Sequence, residues 1–335
     1  MSNMQNWNQN VASIIDYAQR NFPEVEIVSR TLDGKIHKSN YGEVAKRSKK
    51  VGDSLEKYGI KKGQNVGSLA LNTYRNMELY YGISGMGAVM HTINFRLHPE
   101  QVVYIINHAE NRIIFTETVF APLLEAVQDK CPTVEQYVLL CSKEEMPESN
   151  LKNAVSYEEF IEKGDENYEW PLLDEDAPCG LCYTSGTTGN PKGVLYSHKS
   201  TLLHAWAGSS ANGLGFTRSD SILMVVPMFH VMGWGLPYIG AMNGIKLVLP
   251  GMGMDGAALV ELIQKEQVTL AFGVPTIWLG LLNYCTEQKI TLDSVKQIDG
   301  SQIRRSNDQL TIRLGYDGVR YCFKHRCFCP GGALR

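Results

Sequence analysis

Leu181-Cys182-Tyr183-Thr184-Ser185-Gly186-Thr187-Thr188-Gly189-Asn190-Pro191-Lys192-Gly193-Val194 is the most informative stretch of this 335-residue sequence. Hydroxyl side chains at 184, 185, 187 and 188 alternate with Gly186 and Gly189, and Lys192 and Gly193 follow. Glycines let a backbone bend until successive N–H groups converge on one anion, and hydroxyls add further donors. A lysine contributes a compact positive charge suited to phosphate oxygens. The composition therefore fits a loop that holds a polyphosphate. It is not a Walker A loop, which needs Gly-Lys-Ser/Thr with the lysine entering a helix. Here Pro191 precedes the lysine and an apolar run follows it, so the loop is expected to join two strands, Leu181–Tyr183 and Val194–Tyr196. A flexible Gly/Thr surface turn is the competing reading, and the fixed order of lysine, proline and glycines argues against it.

Outward from the loop, short aliphatic or β-branched runs alternate with helical periodicity. Strands are expected at Glu26–Val28, Val66–Leu71, Arg112–Phe115, Tyr137–Leu140, Ser221–Val226, Ile245–Leu249 and Thr269–Phe272. Helices are expected after Ser39-Asn40, from Pro99 to His108, and over Phe120–Gln128, Gly256–Gln264 and Pro275–Tyr284. This alternation predicts an α/β fold of stacked subdomains with mostly parallel sheets. The charged stretch 142–176 reads as a connector between a first α/β subdomain (1–141) and a second (177–300) that carries the loop.

Composition narrows the partners. Thirty-two Lys and Arg against 35 Asp and Glu give a net charge of -3, which points away from nucleic acid or an anionic membrane. The most apolar stretch, 225–254, is broken by Pro227, His230, Pro237, Asn243, Lys246 and Pro250, so no transmembrane segment is expected. The N-terminal residues show no signal peptide, and the eight cysteines are too sparse for a disulfide scaffold; a cytoplasmic protein is the expectation. Residues 301–335 stand apart as an Arg/Cys-rich tail, with six arginines against seven in the preceding 300 residues. Two cysteine patterns compete for a metal. Cys179 and Cys182 have C-x-x-C spacing, but Cys182 falls in the strand entering the loop. Cys322, His325, Cys327 and Cys329 lie too close together to close well around one tetrahedral ion.

The segment 181–194 resembles the signature loop of the adenylate-forming, AMP-binding ligase superfamily. Four further segments resemble its fatty acyl-CoA synthetase branch: His91–Gln101, Tyr104–Glu110, Pro227–Pro237 and Gly273–Trp278. The resemblance implies activation of a carboxylic acid in two steps, first to an acyl-adenylate with ATP and then to a thioester with coenzyme A. Its substrates would be a medium- or long-chain fatty acid, ATP and CoA, with Mg²⁺ as cofactor; a homodimer is compatible with it. By the same resemblance Thr184, Ser185, Gly186, Thr187, Thr188, Gly189 and Lys192 would grip the β- and γ-phosphates, with the Thr184 hydroxyl near the metal. His230, Val231 and Trp234 would lie beside nucleotide and acyl chain, Trp234 as a gate, and Gly300 near the nucleotide. Lys192 and His230 are the candidate catalytic residues. Ordinary core packing is the competing reading for Met228, Met232 and Trp234, and a structural role is the competitor for His230. An aromatic-acid ligase, a peptide-synthetase adenylation module and a non-catalytic nucleotide-binding fragment remain as alternatives.

The sequence also departs from the family pattern. After Asp299-Gly300-Ser301 there is no Tyr/Trp-Gly-x-Thr-Glu motif, whose glutamate binds the metal in the family. The expectation is a truncated chain of little turnover, with residues 301–335 arising from a shifted reading frame or a misjoined gene model; a genuine short variant is the alternative.

Overall fold

The computed structural model describes residues 7–184, 190–211 and 213–299, together with the backbone of strand segments 302–306, 309–313, 322–323 and 326–327. In chain order, α1 (Val11–Asn21) precedes β1 (Glu26–Arg30), β2 (Ile36–Asn40), α2 (Tyr41–Tyr58), β3 (Asn65–Leu69), α3 (Tyr74–Gly85), β4 (Val89–Thr92), α4 (Pro99–His108), β5 (Ile113–Thr116), α5 (Ala121–Val127) and β6 (Gln136–Leu139). Next come β7 (Val155–Ser156), α6 (Tyr157–Glu162), β8 (Pro178–Tyr183), β9 (Gly193–Ser197), α7 (His198–Ser209), β10 (Ser221–Met224) and α8 (Leu236–Asn243). The described part ends with β11 (Lys246–Leu249), α9 (Gly256–Glu266), β12 (Leu270–Phe272), α10 (Pro275–Gln288), β13 (Gln297–Asp299), β14 (Gln302–Ser306) and β15 (Gln309–Arg313), then two short strands, β16 (Cys322–Phe323) and β17 (Arg326–Cys327).

Local chemistry sets the helix boundaries. Asn40 caps α2 by accepting the Glu43 N–H at 2.8 Å, and Gly59 ends it at φ 97°, in the left-handed region that glycine adopts without strain. Pro99 opens α4, where a missing N–H costs nothing, and Asp255 caps α9 through the Ala258 N–H at 3.0 Å.

Two sheets result. One runs β7-β6-β5-β3-β4-β8-β9, parallel except for the β8–β9 hairpin. The other runs β15-β14-β13-β12-β10-β11-β1-β2, parallel from β13 to β1 and antiparallel at both margins. Strand alternation sorts the side chains into layers. Ile27, Leu247, Ile113 and Phe115 enter the core between the sheets, with α1, α3 and α8. Val28 and Val248 face outward under α9 and α10, and Ile114 faces outward under α4 and α5. The molecule is thus a stack of helix, sheet, helix, sheet and helix.

The sheets do not follow the sequence division at 142–176. β1 and β2 join the sheet of β10–β13, whereas β8 and β9 complete the sheet begun by β3. Residues 142–176 contribute β7 and α6 rather than a free connector, because Tyr157 and Ile161 bury against the core. Asn72, just beyond β3, fastens the sheets together: its Nδ2 donates to the carbonyls of Met224 (2.7 Å) and Val226 (2.8 Å), and its Oδ1 accepts the Met228 N–H (2.8 Å).

Three buried titrating groups set a pH dependence. Burial lowers His91, whose Nδ1–H donates to Asn111 Oδ1 at 2.7 Å, to about 4. Burial also lowers His198, whose Nδ1 accepts the Val11 N–H at 3.3 Å, to about 4. Burial raises Glu117 to about 7 against bonds from Thr73 and Leu71. The two histidines bind fewer protons folded than unfolded, so stability rises with pH from about 4 to their ordinary 6.5. Glu117 holds a proton longer when folded, so its contribution falls from 4.5 to about 7. Two rising terms outweigh one falling term until the histidines are spent. Urea denaturation across pH 4–8 is expected to show maximal stability near 6.5, and Glu117→Gln to reduce the decline above it. An undiminished decline in that variant would refute the assignment to Glu117.

Candidate functional site

All parallel strands of the β3-containing sheet end on one edge, where ligands sit in open α/β sheets. β8 reaches that edge at Tyr183 and β9 leaves it at Gly193, paired in register, as expected of two strands joined by the loop. The loop is tied at its base. Thr184 N–H donates to the Lys192 carbonyl at 3.0 Å, and Lys192 N–H donates to Thr184 Oγ1 at 3.2 Å. The Thr184 hydroxyl therefore keeps its own hydrogen and a second lone pair for a ligand. Thr184 and Lys192 are exposed, and among the described residues Lys192 has no carboxylate partner. Ser185, Gly186, Thr187, Thr188 and Gly189 lie outside the described residues, as do Gly300 and the side chains of the tail cysteines.

The second predicted segment follows β10 and packs against β8. Thr92 Oγ1 donates to the Phe229 carbonyl at 3.1 Å and lies 3.1 Å from Cys182 Sγ; the N–H groups of Val231 and Met232 approach the same sulfur. A side chain at Gly180 would meet Met232 Cε at 2.8 Å, so the glycine on β8 lets this segment approach. His230 is exposed, and partial burial of its ring lowers the imidazole below its usual range. Trp234 is half-buried against the core between the sheets, Met232 is buried and Val231 is exposed. The two motifs, distant in sequence, thus meet along β8.

Residues 231–235 are strained. Val231 (φ 41°), Met232 (43°), Gly233 (59°), Trp234 (55°) and Gly235 (73°) all lie in the left-handed region. Each of the three non-glycine residues pays roughly 1–2 kcal/mol there. Val231→Gly is expected to stabilise the chain by about 1 kcal/mol, since an exposed valine gives up little packing and the strain is relieved. Gly235→Ala is expected to destabilise, because its Cβ would lie 2.6 Å from His204 Cδ2. Paired urea melts check both signs, and a destabilising Val231→Gly would contradict the account.

Several residues of this region carry no sequence signal of their own, although His108 falls within the segment Tyr104–Glu110. His204 on α7 braces the strained turn through Nε2 and the Trp234 carbonyl at 3.2 Å. His108, the last residue of α4, meets the Tyr183 hydroxyl at 2.7 Å where the loop begins. Asn72 is equally silent, because its role depends on two sheets meeting. The C-x-x-C cysteines are buried neutral thiols: burial raises Cys179 to about 11 and Cys182 above its usual value, and threonine hydroxyls of Thr201 and Thr92 contact them.

Among the described residues no cluster of three His, Cys, Asp or Glu side chains could hold a metal. The donor set at the loop base, one free hydroxyl beside a lysine, fits a single hard ligand to a magnesium ion carried by phosphate oxygens. No helix of the described residues is long and apolar enough to cross a membrane.

The family model for AMP-binding enzymes matches residues 15–322, a range that continues past Gly300 into the Arg/Cys-rich tail. The chain is 46% identical over 287 residues to 3-methylmercaptopropionyl-CoA ligase of Ruegeria lacuscaerulensis, covering 86% of this chain and 53% of that protein. It is 42% identical over 305 residues to medium-chain-fatty-acid–CoA ligase of Ectopseudomonas oleovorans, covering 89% and 56%. The fold matches the crystal structure of a long-chain-fatty-acid–CoA ligase from Archaeoglobus fulgidus with a TM-score of 0.77 at 23% identity, covering 88% of this chain and 58% of that one. The chain spans about half the length of the curated relatives it matches. The tied loop, the adjoining 227–237 segment and a match across most of the sequence agree: this chain belongs to the AMP-binding enzyme family.

Proposed function

We propose that this chain carries the triphosphate-holding part of an ATP-dependent ligase that joins an aliphatic carboxylic acid to coenzyme A. The observation that carries this reading is the loop base, where Thr184 and Lys192 close on each other at the ligand-binding edge of a parallel sheet, beside 230–235. Attack of a carboxylate on the α-phosphorus expels pyrophosphate, and the charge of that leaving group must be neutralised as it forms. Lys192 supplies a positive charge and the loop from Thr184 through Ser185, Gly186, Thr187, Thr188 and Gly189 supplies donors. Thr184 Oγ1 would be one ligand of a phosphate-bound Mg²⁺, which withdraws further charge. His230 and Trp234 would line the place where the acyl group meets the nucleotide, with Val231 and Gly300 beside the base or ribose.

The curated relatives are named for 3-methylmercaptopropionate, a thioether acid, and for medium-chain fatty acids, and both are aliphatic chains that end in a carboxylate. We propose the same class here, with fatty acids of medium length as the first candidates. An acid panel from 3-(methylthio)propionate to palmitate, with benzoate for the aromatic alternative, tests this by pyrophosphate release. The expected result is turnover with the aliphatic acids by a chain extended to the relatives' length, and ATP–Mg²⁺ binding without robust CoA-ester formation by the 335-residue chain. Preference for benzoate, or strong CoA-ester formation by the shorter chain, would overturn the respective part.

A further inference from the structure

A cleft of about 420 Å³ opens on the same edge of the β3-containing sheet as the loop, but at β3, β5 and β6 instead of β8. The topology explains why it is there. From β3 the chain passes through α3 to β4 on one side, then crosses back to β5 on the other side of β3. α3 packs in the layer between the sheets and α5 packs on the outer face, so the chain leaves neighbouring strands in opposite directions. A crevice at such a switch point is the preferred ligand position of open α/β sheets. With β4 standing between β3 and β8, it lies roughly 10–15 Å along the edge from the loop.

The chemistry of its walls selects a ligand. Lys35 pairs with Asp33 at 2.6 Å, and Arg75 is engaged by Glu158 at 3.1 Å and the Leu140 carbonyl at 3.0 Å. The cleft's cations are therefore matched before any ligand arrives, and Glu145 at the rim, which accepts the Ser142 N–H at 3.2 Å, adds a further carboxylate. Glu117, buried in the wall, accepts the Thr73 hydroxyl at 3.0 Å and a bond from the Leu71 N–H. The ionised carboxylate has about four lone-pair sites, so above its raised titration point, about 7, half its acceptor capacity is left, and below it the carboxyl offers an O–H donor instead. Thr31 and Thr118 add hydroxyls, and the stacked His37–Tyr74 rings, 3.9 Å apart, form a flat side. An anion entering here would lose its water without gaining an unpaired counter-charge. A neutral molecule with alternating donors and acceptors loses less.

We propose that this cleft is a second small-molecule site, separate from the nucleotide loop, that takes a neutral hydroxyl-rich ligand of sugar type, with Glu117 accepting from its hydroxyls. A free sugar and the ribose of a nucleoside share this chemistry. The test titrates the 335-residue chain with D-ribose and with adenosine by ligand-observed NMR, alongside acetate and inorganic phosphate. Ribose is expected to bind, and Glu117→Gln to weaken it by about tenfold, the worth of one charge-assisted hydrogen bond. Thr118→Trp, which fills the cleft from its half-buried rim, is expected to abolish binding, whereas Lys192→Ala leaves it unchanged. Adenosine binding more tightly than ribose with the same response to Thr118→Trp identifies a nucleoside, and weaker or equal binding identifies a free sugar. The proposal is overturned if ribose does not bind, if Thr118→Trp leaves its binding intact, or if acetate or phosphate displaces it. Because Lys192→Ala reads the loop independently, failure here is distinguishable from failure of the ligase reading.

Discussion

Replacing Arg47 by alanine is expected to cost the folded chain about 3–5 kcal/mol, the usual result of leaving a buried charge without its partner. Glu78 on α3 is completely buried. Its carboxylate takes Arg47 Nε at 2.7 Å and the Tyr157 hydroxyl at 2.6 Å, while Arg47 Nη2 reaches Glu158 at 2.9 Å. Arg75 joins through the same Glu158 oxygen at 3.1 Å. The network ties α2, α3 and α6 at the point where the stretch 142–176 rejoins the core. Burial already pushes the Glu78 carboxyl above its ordinary range, with Arg47 opposing it. Without Arg47 the folded state would prefer a protonated Glu78, so the variant should lose stability as pH rises from the ordinary carboxyl range toward neutrality. Adding Glu78→Gln to Arg47→Ala removes the stranded charge and is expected to restore part of the loss and flatten that pH response. Urea denaturation at pH 5 and 8 decides the matter. A single-variant loss below about 1 kcal/mol would mean the pair acts as a solvated ion pair.

That network also shows where sequence reasoning reached its limit. The strands from β1 to β12 that carry continuous aliphatic runs were legible because central parallel strands bury both faces. Helices with caps were legible too: Asn40, Pro99 and Asp255 mark the starts of α2, α4 and α9. α3 was not, since eleven of its twelve residues other than Arg75 are buried and it has no polar face to create a period. β4 was hidden by His91 and Thr92, polar residues that are nonetheless buried through Asn111 and the Phe229 carbonyl. The division at 142–176 followed charge density, a surface property, whereas sheet membership depends on hydrogen bonding between distant strands. For the candidate site, the strand–loop–strand frame was legible because apolar runs flank a local stretch of small and hydroxyl residues, and β8 and β9 pair as expected on either side of it. The bracing by His204, Asn72 and His108 was not, because each acts on backbone or side chains that only the fold brings near.

Lys192→Ala is expected to weaken ATP–Mg²⁺ binding by roughly tenfold to a hundredfold, the range of one charge-assisted hydrogen bond to phosphate. The side chain is exposed and unpaired among the described residues, so its loss should leave thermal stability within about 0.5 kcal/mol of the parent. That separation of effects is what makes the variant informative. A structural lysine would move stability and leave nucleotide affinity alone, whereas a phosphate-binding lysine does the reverse. Lys192→Arg adds a second discrimination. Arginine keeps the charge but replaces a compact ammonium with a broad planar fork, so it should recover only part of the affinity in a loop tied as closely as Thr184 and Lys192 tie this one. Thr184→Val removes the hydroxyl that accepts the Lys192 N–H and should weaken binding even though the lysine remains, because the loop base then loses one of its two closing bonds. Calorimetric titration of all three variants with ATP–Mg²⁺ and with AMP separates the sites of action. Losses confined to ATP place Lys192 and Thr184 at the β- and γ-phosphates; equal losses with AMP would place them at the α-phosphate; and unchanged affinity throughout would remove the loop from nucleotide binding altogether.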